Sequence, residues 1–127
     1  MKRNFFLSLI IFLMPTIGYS QIYEYKESPA YKDWDSYSVD EFYEKIDVKS
    51  GTKDEDGDDI SHVYVPTDLE QGLYLVEIAD EVGDLYHIKG TDYYIEFRGY
   101  YGYAGYGEEG VLEVGYSAYS STFYKKE

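Results

Sequence analysis

Asp84-Leu-Tyr-His-Ile-Lys-Gly-Thr-Asp-Tyr-Tyr-Ile-Glu-Phe-Arg98 reads as two β-strands around a tight turn at Gly90-Thr91-Asp92. In the second half, Tyr93, Ile95 and Phe97 alternate with Tyr94, Glu96 and Arg98, the two-residue period of a strand with one buried face. In the first half, Tyr86 and Ile88 oppose Leu85, His87 and Lys89 in the same way. Upstream, Gly72-Leu-Tyr-Leu-Val-Glu-Ile-Ala79 places Tyr74, Val76 and Ile78 on one face, and Asp80-Glu-Val-Gly-Asp84 is a hairpin loop with its glycine near the end. Downstream, Val111–Tyr116 and Thr122–Tyr124 are further strands, and Ile60–Val65 is another, ended by Pro66.

Strands at this spacing, with glycine-marked bends, predict a mainly β protein: a small antiparallel meander or partly open barrel of SH3-like or OB-like kind. A two-layer β-sandwich is the alternative arrangement. One short N-terminal helix is expected within it. Ser38-Val-Asp-Glu41 has the form of a helix start, and Val39, Phe42, Tyr43 and Ile46 fall at helical spacing, so the helix is drawn over Val39 to Asp47. The segment 21–37, with Ile22–Lys26 at its start, reads as an N-terminal arm or edge strand ahead of a single domain over 38–127.

Residues 1–20 have the pattern of a secretory signal. Lys2 and Arg3 precede the apolar run Phe5–Met14, Pro15 follows, and Gly18-Tyr-Ser20 offers small residues for cleavage. The run is shorter than the roughly 20 residues a bilayer span needs, so no membrane span is expected after cleavage. The expected location is therefore secreted or periplasmic. No cysteine is present, so in an exported chain stability must come from packing alone.

Taking Lys2 and Arg3 from the eleven basic residues leaves nine against 25 acidic ones, a net charge of −16 for the mature chain. Such a charge argues against nucleic acid as a partner, since phosphate binding needs a basic face. It suits a basic protein partner, as for an acidic inhibitor or immunity-type protein. Of 18 tyrosines, only Tyr19 lies in the leader, and the other 17 exceed what one small core can hold. Some must stand on outer faces or in loops.

The segment Gly99-Tyr-Tyr-Gly-Tyr-Ala-Gly-Tyr-Gly-Glu-Glu-Gly110 concentrates that excess. Glycine frees the backbone while tyrosine offers rigid contact area, a combination favoured in binding loops. Tyr100, Tyr101, Tyr103 and Tyr106 are the candidate ligand-binding residues, with Glu108 and Glu109 at the rim and a glycan or envelope protein as ligand. The same residues also read as a glycine-bent strand whose rings close a barrel mouth. Trp34, between Asp33 and Asp35, is the remaining candidate, suited either to stacking on a sugar or to plugging a core end.

Catalytic and metal chemistry find little support. The chain has no cysteine, no G-x-S-x-G elbow, no phosphate loop and no H-E-x-x-H motif, and no cofactor is expected. His62 follows Ser61, and adjacent strand residues point to opposite faces, which argues against a nucleophile–base pair. Asp54 to Asp59 invites comparison with calcium loops, yet with Gly57 sixth, Thr52 falls first and Val63 last, where the pattern wants Asp and Glu. The expectation is a non-catalytic, secreted binding or interaction module.

Overall fold

The structure, a computed structural model, describes residues 23–24, 29–102 and 107–126. The leader and its cleavage site lie outside these residues. Among the described residues eight strands form one antiparallel sheet: β1 (Tyr23–Glu24), β2 (Asp35–Asp47), β3 (His62–Thr67), β4 (Gly72–Val82), β5 (Leu85–Ile88), β6 (Tyr93–Phe97), β7 (Glu108–Val114) and β8 (Thr122–Lys125). Six of them close on themselves in the order β4-β5-β6-β2-β8-β7, with β7 returning to pair β4. The expected barrel is therefore present, and it closes fully instead of staying partly open or splitting into two layers. Among the described residues β3 pairs with β2 alone, and β1 adds two residues to β4.

The inner faces of β4, β5 and β6 are those the alternation marks. Val76, Ile78, Ile88 and Ile95 are buried, with Tyr74, Tyr86, Tyr93 and Phe97 packed against them. The β4–β5 hairpin turns at Gly83-Asp84, where Gly83 has φ +60°, a left-handed conformation other residues adopt at a cost. At the β5–β6 turn the Thr91 hydroxyl donates to the Ile88 carbonyl and accepts from the Tyr93 N–H.

The helix expected over Val39 to Asp47 is not formed: these residues belong to β2, thirteen residues long. The reason is a β-bulge. Val39 pairs with Phe97 but Glu41 with Glu96, so one extra residue sits in β2. That insertion turns Val39 and Phe42 to the same interior, both fully buried, at a spacing of three that imitates a helical stripe. Downstream of the bulge one edge of β2 holds β6 and the other holds β3, which runs through Pro66 to Thr67 instead of ending before the proline. An outer strand tolerates proline because its second edge needs no N–H.

Gly110 shows how tightly the interior is filled. A Cβ there would lie 2.2 Å from the Tyr124 carbonyl and 2.6 Å from the Phe123 ring. The missing side chain is the space that Phe123, fully buried, occupies. On the outside of β7 and β8, the short turn Pro29–Asp33 brings Tyr31 edge-on to Tyr124, ring centroids 5.1 Å apart, and Lys32 to within 3.7 Å of Glu113.

The surplus rings emerge along the outer face. His62, Tyr64, Tyr94 and His87 follow one another across β3, β6 and β5, each 4.7 to 5.2 Å from the next. Burial, with lesser contributions from Tyr64 and nearby carboxylates, pushes the Tyr94 hydroxyl up to about 12.

Candidate functional site

Two neighbouring tyrosines leave the end of β6 in opposite directions. Tyr101 turns into the barrel, only 9% exposed, and stacks on Phe97 with centroids 4.6 Å apart and planes 8° from parallel. Tyr37, Tyr86 and Phe123 surround it at 4.7 to 6.0 Å. Its hydroxyl donates to Glu108 Oε1, and Glu108 Oε2 lies 3.3 Å from Lys125 Nζ. Burial first, then that carboxylate, raises the Tyr101 hydroxyl far above the ordinary tyrosine value. Tyr101 thus stoppers the barrel, and Glu108 is committed to holding it there. Glu109 is paired outward with Lys126 at 3.6 Å.

Tyr100 stands clear of the fold at 92% exposure. The chain bends at Arg98-Gly99 beyond β6, so that Tyr101 is buried while its neighbour Tyr100 is left outside. A cleft lies on each side of it. One is walled by Asp84, Tyr86, Glu96 and Tyr101; the other by Ser36, Tyr37, Ser38 and Arg98; Phe97 and Gly99 line both.

Arg98 is fixed at the second cleft. Its Nε donates to the Val39 carbonyl at 3.0 Å, Nη2 donates to the Tyr119 carbonyl, and the guanidinium lies 3.7 Å over the Tyr119 ring. The Tyr86 hydroxyl donates to the Gly102 carbonyl at 2.6 Å, which ties Gly102 back to β5.

The other candidates have separate positions. Tyr103 and Tyr106 lie outside the described residues. Trp34 is half-buried just before β2, its backbone N–H bonded to the Tyr31 carbonyl, and among the described residues no ring contact joins it to Tyr100 or Tyr101. The clefts depend on side chains from β2, β5 and the β4–β5 turn that the sequence does not connect with the Tyr/Gly segment. Alternation marks Glu96 as outward-facing, and the β5–β6 hairpin pairing of Glu96 with Leu85 brings Asp84 to its side.

Ser61 and His62 require a correction. Ser61 precedes β3 and escapes the strand alternation, so its Oγ is hydrogen-bonded to His62 Nδ1 at 2.9 Å. Among the described residues no carboxylate orients the other ring nitrogen, so the pair lacks the third member of a hydrolytic triad. In the acidic loop, Asp54 Oδ1 accepts from the N–H groups of Asp56 and Asp58, and Lys53 pairs with Asp59. Among the described residues no group of three or more His, Cys, Asp or Glu is placed to hold a metal ion. No helix there is long and apolar enough to cross a membrane.

Comparison with protein-family models, with curated proteins and with solved structures gives no match.

Proposed function

We propose that this chain is a secreted, non-catalytic binding module that offers Tyr100, at the rim of its barrel, to a glycan or protein ligand. One observation carries the reading: Tyr100 is almost wholly exposed, between two clefts, on a segment anchored by Arg98 before it and Tyr101 after it. A rigid ring held outward by fixed neighbours loses little conformational entropy when it meets a partner.

Replacement of Tyr100 by serine tests this. Wild type and Tyr100→Ser are compared for capture on a glycan array and from a preparation of cell-envelope proteins, alongside thermal melting. The expected outcome is an unchanged melt with capture lost. Capture of every wild-type ligand by Tyr100→Ser would overturn the reading.

An acidic inhibitor or immunity-type protein is the second reading, favoured by the excess of 25 acidic over 11 basic residues. Long-range attraction of that kind weakens as salt shortens the Debye length. The same capture performed at low and high salt separates the two: loss of a basic partner at high salt favours the second, and salt-independent capture removes it.

A further inference from the structure

The two sides of Tyr100 differ in charge. On one side Asp84 and Glu96 face a cleft of about 190 Å3 whose other walls are aromatic, from Tyr86, Phe97, Tyr100 and Tyr101. That is below the roughly 300–1,000 Å3 of sites that enclose drug-sized ligands, so it suits a single side chain. We infer that this cleft receives the positively charged side chain of a protein partner, a guanidinium in preference to an ammonium. The inference rests on the reading of the Tyr100 rim as a binding surface, and it names the partner's chemistry.

Three observations converge on a cation. First, lysine already meets Asp59, Glu77, Glu108, Glu109 and Glu113, whereas among the described residues no Lys or Arg pairs with Asp84 or Glu96. Second, Glu41 sits directly opposite Glu96 in the β2–β6 ladder, and like charges so placed repel. The Tyr43 hydroxyl donates to Glu96 Oε1 at 3.3 Å, which relieves one oxygen and supplies no positive charge. Third, Tyr100 borders the cleft at 92% exposure, and no other ring among the described residues stacks on it, so its face is open to a cation.

Ring faces attract cations and carboxylates complete the charge balance. A neutral sugar would leave the Glu41–Glu96 repulsion as it stands. The same molecule holds the Arg98 guanidinium over the Tyr119 ring at 3.7 Å, the kind of contact the cleft would offer an incoming arginine. Guanidinium is preferred because its plane can stack on a ring while its edge meets two carboxylates.

The test is a titration of the isotopically labelled full chain at low salt with N-acetylarginine amide, N-acetyllysine amide and methyl glucoside, following the backbone amides of residues 84–86 and 96–102. The arginine probe is expected to give saturable shifts there, the lysine probe weaker ones and the glucoside none. Asp84→Asn with Glu96→Gln is expected to weaken the arginine probe about tenfold or more. About 500 mM salt should weaken it similarly. Equal response to arginine and glucoside, or an unweakened double variant, overturns the inference. If that happens while Tyr100→Ser still abolishes capture, the rim reading stands alone. Arginine shifts in a protein whose capture is indifferent to Tyr100→Ser would instead overturn the rim reading and leave the cation cleft in place.

Discussion

Tyr100 and Tyr101 are chemically identical and one peptide bond apart, and only their surroundings assign their roles. Replacing Tyr101 by alanine empties the stack on Phe97 and is expected to lower unfolding free energy by about 3–5 kcal/mol. Tyr101→Phe keeps the ring, loses only the bond to Glu108 and should cost about 1 kcal/mol. Denaturant titration of both variants checks the order. Tyr94 makes a second prediction, in pH. Its hydroxyl, ordinarily near 10.0, is held up to about 12 in the fold, chiefly by burial. Between those values the folded chain keeps a proton that the unfolded chain releases. Stability is therefore complete below about pH 10 and falls as pH rises through about 12. Melting temperatures across that window should decline, and Tyr94→Phe should make the decline shallower; an equal slope in both proteins would contradict it.

At the scale of elements, the meander β4-β5-β6 was legible because nothing interrupts its alternation where the sequence shows it most clearly, from Tyr74 to Ile78 and from Tyr93 to Phe97. β2 was not, because a bulge between Val39 and Glu41 adds one residue to the period, and capping-type residues at Ser38 and Glu41 reinforced the false helix. Glycines divide in a similar way. Gly83 serves a turn the sequence announces, whereas Gly110 lies in mid-strand and makes sense only once Phe123 is seen beside it. Gly110→Ala must push Phe123 or the β8 backbone aside, and a loss of about 1–3 kcal/mol is expected from such overpacking. Differential scanning calorimetry of that variant measures it, and an unchanged melt would mean that β7 and β8 can separate without cost.

For the molecule as a whole, charge was readable from composition, and closure was not. Pairing between β4 and β7, and between β2 and β8, joins segments far apart in the chain, and no local pattern specifies such partners. The composite site was half legible for a similar reason: Tyr100 stood out and the β5–β6 hairpin sets Asp84 beside Glu96, but Arg98 is fixed only through Val39 and Tyr119, far away in the chain. A net charge of −14 also repels itself when the chain is compact. Raising salt from about 10 mM to about 150 mM shortens the Debye length from about 30 Å to about 8 Å. The melting temperature should rise over that interval, because the lysine–carboxylate pairs among the described residues are mostly at the surface and lose little. A flat or falling melt would show that self-repulsion is already balanced by local pairing.

Six strands make a narrower cylinder than the eight whose interior side chains just fill, and here Tyr101 corks one end over Phe97 and Phe123. An interior filled in this way leaves the rim, with its two outer clefts, as the place where the binding proposed above would occur.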